Sequence, residues 1–229
     1  MATSIPLPLV PIREEHKTLF KSVNTFVHAH MSQSGYDNSH DYHHILRVLS
    51  NTNRLLLAEQ KAHPDIPYDI SAIFLAALLH DVGDHKYAKP GEDLENQIAN
   101  ILRERGAEEE LAHKVQTLVK NVGFTNEVKN SASVAEMLVK LPELAIVQDA
   151  DRLDAIGAVG VGRCFAYGGA KGQGRPLSGA IDHFAEKLYK LPDMMKTQAG
   201  KEEAMKRKSV LEEFAKQFNE EAELSFALE

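Results

Sequence analysis

Apolar residues recur through most of this chain at intervals of three and four, the period of one helix face. The spacing predicts helices over about residues 14–31, 40–61, 92–105, 108–122, 133–140, 141–154, 157–165, 178–190 and 201–223. One further segment, Tyr68 to Val82, is apolar almost all round and predicts a helix buried on every side. No βαβ alternation and no internal repeat is visible, so the expected class is all-α. Residues 1–13 carry three prolines and read as an extended arm. Residues 14–229 read as a single domain, with a helical extension from about residue 191.

The buried segment ends on a chemical anomaly. Ile70, Ile73, Phe74, Ala77 and Leu78 form one stripe, and the next place on it is Asp81. A carboxylate there is costly unless something cationic meets it. His80 lies beside it, about 100° around the helix. Two other predicted helices also turn a polar ligand inward. His44 shares a face with Val48, after Ser39 as a plausible N-cap, and His40 sits one turn before it. Asp151 lines up with Leu144, Val147, Ala155 and Ala158. Imidazoles and carboxylates converging from three helices point to one bound divalent ion. Thiolate ligation is excluded in practice, because Cys164 is the sole cysteine.

Composition narrows the setting. Hydrophobic residues make up 43%, enough for a sizeable core. The balance of 26 basic against 33 acidic residues gives a net charge of −7 with no basic run, which argues against a nucleic-acid polymer as partner. No stretch reaches the roughly 20 apolar residues of a membrane span. A single cysteine suits a reducing compartment, so a cytoplasmic protein is expected, with the nucleus as an alternative.

The His44, His80-Asp81 and Asp151 series, with its flanks His44-Ile-Leu-Arg-Val48, Leu78-Leu-His-Asp-Val-Gly-Asp84 and Asp149-Ala-Asp-Arg-Leu-Asp-Ala-Ile-Gly157, resembles the HD-domain superfamily of metal-dependent phosphohydrolases. It is most similar to the YedJ-like branch of small single-domain HD proteins, over about residues 20–185. The resemblance implies a compact multi-helix bundle with the metal site between helices. It also implies His44, His80, Asp81 and Asp151 as ligands, and a catalytic role for the His80-Asp81 pair. The ion would be Mn²⁺ first, with Mg²⁺, Co²⁺, Fe²⁺, Ni²⁺ or Zn²⁺ behind it. Asp151 rather than Asp149 is selected because it precedes the Arg-Leu pair, and the helical stripe selects it too.

The resemblance further implies that Asp84, three residues past Asp81, is a catalytic acid or base. Its branch contains nucleotide pyrophosphohydrolases, so the expected reaction converts a nucleoside triphosphate to a monophosphate and pyrophosphate. A 5′-nucleotidase or another phosphomonoesterase or phosphodiesterase is the alternative. An HD-type iron oxygenase and a nucleotide sensor without turnover stand outside the hydrolases. The oxygenase needs more histidines than His85 and His113 between the last two motif parts.

A phosphorylated substrate needs cations. Arg152, Lys86, Arg47, Arg163, Lys171 and Arg175 are the candidates, the last two from a glycine-rich stretch, residues 168–175, that reads equally as a connector. His40, Asp149 and Asp154 are candidates to orient the ligands by hydrogen bonds. The Met194-Met195 region and the Leu211, Phe214, Phe218 stripe could pack on the domain or on a partner, which leaves a homodimer open.

Overall fold

The computed structural model describes residues 5–33, 39–82, 95–171 and 176–227. Among them there is no strand, and the all-α expectation holds. The helices are α1 (Lys17–Met31, after a 3-10 turn at Glu14–His16), α2 (Tyr42–Ala62), α3 (Ile70–Leu79), α4 (Gln97–Arg103), α5 (Glu109–Val122) and α6 (Phe124–Lys129). Then come α7 (Ser131–Lys140), α8 (Glu143–Asp154), α9 (Gly157–Lys171), α10 (Ser178–Glu186) and α11 (Gln198–Ala222), the last preceded by a 3-10 segment at Leu188–Met194.

α3 is the central rod. Every residue from Ser71 to Leu79 is buried, as its unbroken apolar sequence demands. α1, α2, α5 and α8 pack around it. Asp69 caps it, accepting from the Ala72 N–H. The helix stops at Leu79 rather than running to Val82, so His80 and Asp81 stand in the turn that follows. The stop leaves the Ala77 carbonyl available to the His80 ring.

Other boundaries shift for local reasons. The cap of α2 is Asp41, whose carboxylate accepts from the His44 N–H, and not Ser39. α8 does not run into α9. The chain turns at Ala155 and Ile156, and Gly157 takes φ +77°, a left-handed conformation that a Cβ disfavours. Ala155 and Ala158 therefore lie beyond the helix that carries Asp151. α6 was not expected, and α9 runs through Gly168 and Gly169 to Lys171, where a glycine loop was expected. In the N-terminal stretch, the Pro6 carbonyl accepts from Asn24 and Tyr42, and Ile12 is buried. Among the described residues, no helix is long and apolar enough to cross a membrane.

Candidate metal centre

α2 supplies His44, the turn after α3 supplies His80 and Asp81, and α8 supplies Asp151. Their ligand atoms converge. His44 Nε2 lies 3.1 Å from His80 Nε2 and 3.2 Å from Asp81 Oδ2. His80 Nε2 lies 3.5 Å from Asp81 Oδ1. Asp151 Oδ1 lies 3.7 Å from His44 Nε2 and 3.6 Å from His80 Nε2. Donors bound to one first-row ion at about 2.0–2.2 Å, roughly 90–109° apart, are about 3.0–3.5 Å from each other. His44, His80 and Asp81 form a cluster on that scale, and Asp151 Oδ1, at 3.6–3.7 Å from the two rings, stands just beyond it.

The hydrogen bonds behind the rings sharpen the fit. His44 Nδ1 meets Asp154 Oδ2 at 2.7 Å, and His80 Nδ1 meets the Ala77 carbonyl at 2.9 Å. Both oxygens are acceptors, so each ring keeps a proton on Nδ1, and Nε2 is the atom that turns inward and is left to bind a cation. The two Nε2 atoms, 3.1 Å apart and faced by two carboxylates, make a site for positive charge, whether a proton or a metal ion. Asp81 Oδ2 is buried and has no hydrogen-bond partner among the described residues, although it is within ion-pair range of His44.

Electrostatics agree. Burial alone would lower the pKa of His80, but the charges of Asp81 and Asp151 and the hydrogen bonds of Asp151 and Ala77 hold it at about 9. Burial pushes Asp81 and Asp151 up, and the two imidazoles more than reverse that, holding both well below the usual carboxylate range. The centre calls for positive charge.

Asp154 is the pivot of the wall behind it. Besides His44 it accepts from Arg47 Nε at 2.7 Å, and Arg163 Nη1 lies 3.2 Å away. Burial raises its pKa, and the bonds from His44 and Arg47 with the Arg163 charge outweigh this and lower it. Asp154 thus has the carboxylate–histidine geometry that fixes a ligand ring.

The centre opens into a cleft of about 400 Å³. Its near wall includes His40, Arg152 and Arg163; its far wall includes Lys120, Phe124 and Lys187. The Lys187 ammonium stands 4.9 Å over the Phe124 ring. His40 packs edge-on to His44, with ring centroids 6.0 Å apart.

The arrangement belongs to a recognised set of proteins. The HD domain family matches residues 41–156, half of the chain, and that span includes all four converging side chains. This chain belongs to the HD-domain family. Bacillus subtilis YpgQ, a protein described as uncharacterized, is 34% identical over 187 residues, which is 80% of this chain and 84% of YpgQ. The crystal structure of YpgQ in complex with ADP superposes with TM-score 0.67 at 30% identity, covering 88% of this chain and 97% of that one. An HD-superfamily hydrolase from Bacillus thuringiensis superposes with TM-score 0.64 at 34% identity, covering 90% and 97%.

The remaining candidates are distributed unevenly. Arg152 lines the cleft but is only 2% exposed. Its Nη1 donates to the Met194 carbonyl and its Nη2 to Glu127, which leaves Nε buried without a partner among the described residues. With its two terminal nitrogens committed there and its Nε buried, this guanidinium is held by the protein, which argues against the expected role as a phosphate clamp. Arg163 reaches the cleft while its Nε donates to the Ser39 carbonyl. Arg47 faces away from the cleft, on the outer side of Asp154. Asp149, expected to orient a ligand, points the other way. Two positions before Asp151 is about 200° around a helix. Its carboxylate instead accepts from the Lys196 and Thr197 N–H groups and the Thr197 hydroxyl, at the start of α11. Lys171 ends α9 on the surface. His113 is exposed on α5, away from the centre. Asp84, His85, Lys86 and Arg175 lie outside the described residues.

Glu127, like Lys120, Phe124 and Lys187 in the cleft, is a residue that sequence reasoning missed. On the unexpected α6, it holds both Arg152 and Lys196. Nothing in the local sequence pairs positions 25 and 69 residues apart.

Proposed function

We propose that this protein is a metal-dependent nucleotide pyrophosphohydrolase, cleaving a nucleoside triphosphate to a monophosphate and pyrophosphate. The observation that carries the reading is the cluster of His44, His80 and Asp81, with Asp151 beside it, opening directly onto a cleft that is also lined by cations. The YpgQ complex with ADP supports a nucleotide as the ligand class. His44, His80, Asp81 and Asp151 would hold the ion, with Mn²⁺ as first choice for a mixed imidazole and carboxylate set. A bound divalent ion supplies Lewis acidity and water activation at phosphorus.

The chain's own groups do the rest. Asp154 and the Ala77 carbonyl keep the two Nδ1 protons in place, so both Nε2 atoms stay available. Lys120 and Lys187 offset phosphate charge at the far wall, and Arg163 does so at the near wall. The Phe124 ring offers an apolar face to the base. Asp84 is assigned the proton-transfer role at the leaving or attacking oxygen.

Product identification tests this. Metal-stripped protein reloaded with Mn²⁺, Mg²⁺, Co²⁺ or Fe²⁺ is incubated with nucleoside mono- and triphosphates, and products are separated by ion exchange. Monophosphate plus pyrophosphate is expected. Nucleoside plus phosphate would replace the reading with a phosphomonoesterase, and no turnover with any metal would overturn it. Asp84→Asn should keep the ion and lose at least about 100-fold in rate; an unchanged rate removes Asp84 from the chemistry.

A further inference from the structure

A second cavity, of about 490 Å³, lies on the outer side of Asp154, away from the cleft. Three elements build it. Arg47, Asn51 and Arg54 come from one face of α2, since four and seven residues return to the same side of a helix. Glu203, Lys206, Arg207 and Val210 come from one face of α11. The first turn of α9, from Gly157, closes the end, and brings the positive pole of a 15-residue helix to the same space.

The charge inventory is one-sided. Arg47, Arg54, Lys206 and Arg207 face Glu203 and Asp154. Asp154 is 2% exposed and already engaged by His44, Arg47 and Arg163. Glu203 is shared between Arg207, at 2.9 Å, and Lys206, at 3.7 Å. Arg54 makes no hydrogen bond or ion pair among the described residues. A chain of net charge −7 has thus gathered four cations against two carboxylates at one open cavity, an excess that a bound anion would balance. Guanidinium forks with an ammonium suit a tetrahedral phosphoryl group.

We propose that this cavity is a binding site for a phosphate-class anion, distinct from the catalytic cleft and linked to it through Arg47. Arg47 Nε and Nη2 hold the Asp154 carboxylate, and Asp154 holds the His44 ring. An anion that draws Arg47 outward leaves more of the Asp154 charge for His44 Nδ1–H. That makes His44 a better donor to the ion, so occupancy raises metal affinity. Binding itself stands apart from the pyrophosphohydrolase reading; only a role as sensor of released pyrophosphate rests on it.

The test is calorimetric titration of inorganic phosphate, pyrophosphate and AMP into full-length metal-stripped protein. The wild type is compared with Arg54→Gln/Lys206→Gln, two exposed changes that leave the core intact, and with His80→Ala. Saturable binding is expected in the wild type and in His80→Ala, and at least tenfold weaker binding in the double variant. The ranking of free anions against AMP names the physiological source, and either ranking keeps the site. No saturable binding overturns the proposal, as does binding kept by the double variant and lost in His80→Ala, which would put the anion in the cleft. Mn²⁺ affinity should rise severalfold with phosphate in the wild type and not in the double variant; an unchanged affinity in both removes the link. Loss of nucleotide hydrolysis with binding retained would sink the catalytic reading alone.

Discussion

Asp154 sits outside the donor quartet yet governs it. Asp154→Asn keeps the shape but removes a charge that orients His44 and anchors Arg47 and Arg163. Metal affinity should fall by about 10–100-fold, as measured by titration against a chelating dye. His80 gives a pH dependence with a definite sign. Its pKa is raised to about 9, above the ordinary imidazole value, so below that pH a proton competes with the ion for Nε2. Apparent affinity should climb from pH 6 to about 9 and then level, and proton release on metal addition should be seen at pH 7. The same shift stabilises the metal-stripped fold fully below the unfolded imidazole pKa, and that contribution fades as pH rises toward 9. His44 and Asp151 were legible as polar residues on apolar helix faces, and His80 and Asp81 as the polar end of an apolar run, all four within one spaced motif. Glu127 was not, because its meaning comes entirely from Arg152 and Lys196, which only the fold brings near.

At the level of elements, the long helices were readable and their ends were not. α3 is so uniformly apolar that periodicity cannot say where it stops, and the His80 ring's bond to Ala77 belongs to the turn that follows. α6 is six residues long, too short to show a face. The break between α8 and α9 hides in a helix-compatible sequence and turns on Gly157 alone. Gly157→Ala should cost about 1–2 kcal/mol, since a Cβ at φ +77° is strained. It would also sit 3.1 Å from the Arg207 side chain. Urea unfolding would show the loss as a lower midpoint at unchanged slope. An unchanged midpoint would mean that the turn accommodates a side chain.

Across the molecule, α8 is fastened at both edges. One edge carries Asp151 and Asp154 into the centre. The other carries Asp149 and Arg152 into the 194–197 segment, where Glu127 and Lys196 close the network. A Cβ on Gly200 would come within 2.5 Å of the Asp149 carboxylate, which shows how closely α11 approaches. Burial raises the pKa of Glu127, and Lys196 and Arg152 more than offset this and lower it. The stabilisation is therefore present above the ordinary carboxylate pKa and lost as pH falls through the lowered value. Glu127→Gln should cost on the order of 1–3 kcal/mol at pH 7. The gap between variant and wild type should narrow at strongly acidic pH, and thermal unfolding across pH would follow both.

The placement of both imidazole protons on Nδ1 has a spectroscopic consequence. In protein loaded with Co²⁺, a paramagnetic probe, two ring N–H resonances should be displaced far outside the ordinary proton range and vanish in deuterium oxide. They would not vanish together. The His44 proton lies against Asp154, between α2 and α8, whereas the His80 proton rests on the Ala77 carbonyl at the end of α3. Their separate exchange rates would act as two clocks, one timing the opening of α2 from α8 and the other the fraying of α3.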